Sequence, residues 1–109
     1  MHELSITQSI VDAVSDHAGE ATVVSVRLRI GMLSGVVPRA VRFCFELVTA
    51  GTSLEGAELV IDEQAGIGHC RGCGNDFTLT DLILLCPCGS ADVAVISGRE
   101  LTVQSIEVA

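Results

Sequence analysis

Cys70-Arg71-Gly72-Cys73, then Gly74 to Leu85, then Cys86-Pro87-Cys88 is the stretch that organises the chain. Two pairs of cysteines, twelve residues apart, make two short knuckles. Four thiolates at this spacing supply a tetrahedral soft-ligand shell, which suits Zn²⁺. Gly72 and Gly74 flank the first knuckle and Gly89 follows the second, so the backbone can turn tightly beneath the sulfurs. The other reading is two reduced pairs, or a redox-active Cys-x2-Cys, but the strand-to-helix setting of a thioredoxin-like pair is missing. Four cysteine ligands leave no open position, which makes the site structural, not catalytic. A segment as short as Gly66 to Ala94 cannot bury enough surface alone, so metal binding supplies its fold.

Regular patterns lie on both sides of this segment. Leu4 to about Ala18 reads as a first helix, with Ile6, Ile10, Ala13, Val14 and His17 as its apolar stripe and Gly19 as its stop. Val24 to Ile30 alternates as a half-buried strand, with Val24, Val26, Leu28 and Ile30 on one side. Pro38 opens a second helix, where its missing N–H costs nothing. Val41, Cys44, Phe45 and Val48 are its buried face, and Gly51 ends it. A strand follows from Ala57 to about Glu63, and a last one from Arg99 to Val108, with a bulge expected near Gln104-Ser105. The expected fold is α/β (α+β): two helices on a three-stranded mixed sheet, with an inserted zinc-ribbon-like subdomain. Residues 1–65 plus 95–109 form the body and 66–94 the zinc-binding subdomain.

Composition sets limits. Apolar residues are 49% of the 109, but only Phe43, Phe45 and Phe77 are aromatic, so the core is aliphatic. The net charge is −8. Nucleic-acid binding relies on Lys and Arg against phosphate, and this chain lacks the basic face for it. No run reaches the roughly 18 apolar residues of a membrane span, and Met1-His2-Glu3 has no basic leader. The expected location is the cytoplasm, where thiols stay reduced.

The amino terminus is the second place where chemistry gathers. The Met1 α-amine, the His2 amide nitrogen and the His2 imidazole can close adjacent chelate rings on one ion, and the Glu3 amide offers a fourth nitrogen. Four nitrogens in a plane suit Ni(II) or Cu(II) and give zinc no advantage.

The chain resembles the HypA family of hydrogenase nickel-incorporation proteins. The resemblance is carried by Met1-His2-Glu3-Leu4, by Gly31-Met32-Leu33-Ser34-Gly35-Val36-Val37-Pro38, by Phe43-Cys44-Phe45-Glu46 with Gly51-Thr52, by Glu55-Gly56-Ala57-Glu58-Leu59, and by the cysteine knuckles with Cys86-Pro87 and Gly89-Ser90. It covers essentially the whole chain in order. It implies a nickel metallochaperone that works with a partner GTPase to load nickel into the hydrogenase large-subunit precursor, with urease as a further client of some members. It implies His2 as nickel ligand beside Met1 and Glu3, and Cys70, Cys73, Cys86 and Cys88 as zinc ligands. The expected state is a monomer or weak homodimer. Two departures stand out. The second knuckle is Cys-x-Cys where the family commonly has Cys-x2-Cys. Between Gly31 and Phe45 there is no acid to serve as an extra nickel ligand.

The remaining polar residues have plainer readings. The Glu3 carboxylate suits the start of a helix and His17 the end of one. His69 adjoins a cysteine but is surplus to four thiolates. Arg27 and Arg29 read as solvated, and Cys44 as a small buried hydrophobe. No nucleophile motif or phosphate-binding loop is present, so the chain is not read as an enzyme and nucleotide hydrolysis falls to the partner. Two other functions compete: a zinc-ribbon adaptor without nickel transfer, and a thiol oxidoreductase.

Overall fold

In order, the chain forms α1 (His2–Ala18), β1 (Val23–Gly31), α2 (Pro38–Thr49), β2 (Glu58–Gln64), β3 (Gly66–Cys70), β4 (Asp76–Leu79), β5 (Val93–Ser97) and β6 (Leu101–Val108). The structure is a computed structural model, and it describes residues 2–109. Two three-stranded sheets result, ordered β2-β1-β6 and β4-β3-β5.

Backbone hydrogen bonds give the first sheet its directions. The Gly31 amide donates to Glu100 and the Ala109 amide to Thr22, so β1 and β6 run antiparallel. The Val23 amide donates to Ser53 and the Met32 amide to Gln64, so β1 and β2 run parallel. A parallel pair needs a crossover, and α2 supplies it. The sheet is therefore mixed, as expected, and α1 packs against α2. The second sheet is antiparallel throughout, with Gly68 opposite Phe77 on one side and Val95 on the other.

The chain divides into two compact units. The first takes the residues as far as Leu28, with Val37–Asp62 and Thr102–Ala109. Its core is aliphatic: Val11, Val14, Val23, Val26, Leu28, Val41, Leu54 and Leu59, with Phe45 the one aromatic. The second takes Arg29–Val36 and Glu63–Leu101, so the unit that holds the cysteines is larger than residues 66–94. The reason is Leu33. It is 3% exposed and packs with Cys70, Leu79, Cys86 and Val93, and its amide donates to Gly98.

Two local expectations need correction, the buried face of α1 and the phase at the start of β1. The buried face of α1 is Glu3, Thr7, Val11 and Val14, not the stripe through Ile6, Ile10, Ala13 and His17. Thr7 can face inward because its hydroxyl donates to the Glu3 carbonyl at 2.6 Å, leaving a methyl for the core. Thr49 does the same in α2, donating to Phe45 at 2.6 Å. In β1 the residue buried at the start is Val23, while Val24 is 47% exposed, so the alternation holds only from Val26 onward. A register irregularity lies in β3, between Ile67 and Gly68.

Helix ends follow the expected chemistry. Gly19 has φ 63 and its amide donates to Ser15 at 3.0 Å, closing α1. Pro38 stands at the start of α2, after Val37 in extended backbone.

Candidate metal centre

Two turns build the centre. Cys70 is the last residue of β3, and the chain folds back at once: the Gly74 amide donates to Cys70 at 2.8 Å and the Cys70 amide to Asn75 at 2.9 Å. Gly74 takes φ 79, a conformation that side chains resist. The second turn repeats the device. The Gly89 amide donates to Cys86 at 2.8 Å, the Cys86 amide to Ser90 at 2.9 Å, and Gly89 takes φ 96. An ion pair, Arg71 Nη1 to Asp92 Oδ1 at 2.7 Å, joins the first knuckle to the chain leaving the second.

The turns bring together the four cysteines singled out by spacing. All four Sγ atoms lie within 4.8 Å of one another. Cys70 and Cys88 are 3.7 Å apart, as are Cys73 and Cys86. Thiolates about 2.3 Å from a central zinc ion stand roughly 3.8 Å apart at the corners of a tetrahedron. A disulfide needs about 2.05 Å. The donor set and its spacing therefore fit a four-thiolate metal site, and the shortened Cys86-Pro87-Cys88 knuckle does not prevent convergence.

Electrostatics divide the sulfurs. The Cys73 amide points at Cys70 Sγ at 3.4 Å. That amide, against the cost of burial, draws the Cys70 thiol down to about 6. The Cys88 amide at 3.5 Å lowers Cys86 in the same sense, but burial and shared protons from Cys88, Cys73 and Cys70 push Cys86 up to about 12. Four clustered thiols cannot all ionise without a cation among them.

At the amino terminus Met1 lies outside the described residues. His2 opens α1 with its side chain 61% exposed, and its Nε2 stands 3.5 Å from Glu3 Oε2. The Glu3 side chain is turned inward, only 12% exposed. Among the described residues, the cysteines are the one group of three or more His, Cys, Asp or Glu side chains spaced to hold a metal.

His69 stays out of the cysteine cluster and pairs with Asp76, Nδ1 to Oδ1 at 2.7 Å. Arg27 is paired as well as solvated, bonding both oxygens of Asp62 at 3.2 Å. Cys44 is half-buried on α2. His17 is exposed and lines an open groove of about 300 Å³ with Ala13, Val14 and residues 103–106 of β6. Asp76 and Asp92, which hold His69 and Arg71 beside the knuckles, carried no sequence signal. Each meets its partner through the fold of the second unit.

The family model for hydrogenase/urease nickel-incorporation metallochaperones, HypA, matches residues 1–108. The hydrogenase maturation factor HypA of Geobacter metallireducens is 50% identical over 109 residues, covering 99% of each chain. That of Nostoc punctiforme is 48% identical over 108 residues, covering 99% of this chain and 96% of its own. A solution structure of the Ni metallochaperone HypA from Helicobacter pylori superposes with a TM-score of 0.67 at 25% identity, covering 99% of this chain and 97% of that one.

Proposed function

The chain belongs to the HypA family of nickel-incorporation metallochaperones, and on that premise we propose that it carries Ni(II) at its amino terminus and zinc on its four cysteines. The nickel site uses the Met1 amine, the His2 amide and imidazole, and the Glu3 amide. The observation that carries this reading is the exposed His2 side chain at the first turn of α1, free of the core and next to the inward-turned Glu3. A planar nitrogen set favours nickel over zinc, because it meets the d-electron preference of Ni(II) and zinc has none.

Nickel handling falls to residues 1–65 with 95–109, and zinc to 66–94 within the second unit. Cys70, Cys73, Cys86 and Cys88 hold Zn²⁺, and their fit to a thiolate tetrahedron supports this. Bound zinc supplies a charge centre that lets all four sulfurs ionise and locks the two turns together. The cysteine residues themselves set the turn geometry and exclude a catalytic position. In the cell the chain works in the cytoplasm, as a monomer or weak homodimer. It passes nickel, with a nickel-delivery GTPase, to the hydrogenase large-subunit precursor. An acidic chain of net charge −8 fits protein partners and not nucleic acid.

Nickel titration tests the proposal. The native chain, His2→Ala and a chain with residues added before Met1 are loaded with nickel and zinc, and both metals are counted. We expect nickel on the native chain alone and zinc on all three. Equal nickel on all three overturns the terminal site. Zinc without nickel on the native chain identifies an adaptor.

A further inference from the structure

The four sulfurs are not equivalent. Cys70 and Cys86 open their knuckles, are 0% and 4% exposed, and each has the amide of its knuckle partner pointing at its sulfur. Cys73 and Cys88 close the knuckles and are exposed. An open cleft of about 270 Å³ leads to them, lined by Cys73, Phe77, Cys86, Pro87 and Cys88. An amide hydrogen bond draws charge off a thiolate and burial denies access to it, so both factors leave the reactive electrons on Cys73 and Cys88. Each exposed sulfur also has a buried neighbour in the opposite knuckle. Cys88 is 3.7 Å from Cys70, and Cys73 is 3.7 Å from Cys86.

We propose that the exposed edge of the cluster is a modification site for peroxide, at which Cys73 or Cys88 is oxidised, is captured by the buried Cys86 or Cys70 of the other knuckle, and the metal is released. The proposal rests on the zinc reading above. The exposed thiolate attacks one peroxide oxygen; an S–O bond forms, the O–O bond breaks, and the departing hydroxide takes up a proton as water. The buried thiolate then attacks that sulfur; an S–S bond forms, the S–O bond breaks, and the second hydroxide leaves as water. Two thiolates give up two electrons and one peroxide becomes two waters. The sulfurs close from 3.7 Å to about 2.05 Å. Two anionic donors are lost, and a disulfide does not replace them as ligands, so Zn²⁺ departs unreduced. The crosslink ties one knuckle to the other, and a thiol reductant with fresh zinc restores the site.

The test uses the full zinc-loaded chain carrying Cys44→Ala, which removes the fifth thiol without touching the cluster. Zinc is measured first, then hydrogen peroxide is added in steps. A chromogenic chelator reports released zinc, and mass spectrometry after thiol blocking reports the first disulfide. We expect zinc release in step with a Cys70–Cys88 or Cys73–Cys86 link, reversed by dithiothreitol and zinc. A first link within one knuckle, any other first pairing, zinc loss without a disulfide, or zinc retained through excess peroxide overturns the proposal. A chain that never holds zinc overturns the zinc reading, and the oxidation with it. A chain that holds zinc but pairs otherwise overturns the oxidation alone.

Discussion

A β-carbon built on Gly31 would stand 2.0 Å from the carbonyl oxygen of Gly98, so the two backbones pass too closely for any side chain at position 31. Gly98 in turn adopts φ 113, and a β-carbon there would fall 2.4 Å from the Gly66 Cα. Three glycines distant in sequence meet at one crossing of the chain, with Leu33 against it.

Gly31→Ala is therefore expected to be severe. The obstacle is backbone, which cannot turn aside as a side chain does, and the loss should exceed about 3 kcal/mol. Gly74→Ala is the comparison: φ is 79 but nothing lies within 4 Å, so only the left-handed strain of about 1–2 kcal/mol applies. Urea unfolding of the zinc-loaded variants measures both. Equal losses would mean that the close approach is not a constraint.

The two variants also show what a sequence reveals. The cysteine knuckles were legible because their chemistry is local: spacing and flanking glycines suffice to bring each pair round. The mixed sheet followed from short-range periodicity and the proline that opens α2. The crossing at Gly31, Gly66 and Gly98 had no local signature, since each glycine passes for an ordinary loop residue. The pairs His69–Asp76 and Arg71–Asp92 depend on the β4-β3-β5 sheet and were invisible for the same reason. The face of α1 was misread because a hydropathy stripe counts Thr7 as polar, although its hydroxyl is satisfied within the helix.

That correction gives the second prediction. Val11 is 3% exposed, whereas Ile10 is only half-buried at the edge of the helix face. Val11→Ala should cost about 2 kcal/mol and Ile10→Ala about 1 kcal/mol or less, although isoleucine loses more atoms. Chemical denaturation ranks them. A larger cost at Ile10 would restore the stripe drawn from hydropathy.

Glu100 carries a pH dependence. Its carboxylate accepts the Gly98 amide, then its own and that of Arg99, with Arg29 nearby, and these hold its carboxyl below the usual range. A depressed folded value means stability that is present above the unfolded value of about 4.3 and lost as pH falls through the folded one. Glu100→Gln should thus be less stable than the native chain at about pH 7, with the gap closing as pH drops below about 4. Denaturant midpoints across that range check it. A gap that stays constant would remove the carboxylate from the turn.

Zinc affinity should depend steeply on pH, and the sign follows from the sulfurs. Ligation requires thiolates. Cys70, drawn down to about 6, is already ionised near neutrality. Cys86, pushed up to about 12, is not, and must surrender its proton to the ion at every pH from 6 to 8. Each proton displaced weakens apparent binding tenfold per unit fall in pH, so affinity should drop by at least about tenfold per unit as pH falls from 8 to 6. Competition against a chelator of known proton affinity measures the slope. Because Cys86 is buried in the core of the second unit with Leu33, Leu79 and Val93, the metal that ionises it also fixes that core. Stripping zinc should therefore speed amide exchange in β3, β4 and β5 more than in α1 and α2. A flat pH profile, or uniform exchange across both units, would mean that the cluster does not take up its metal as four thiolates.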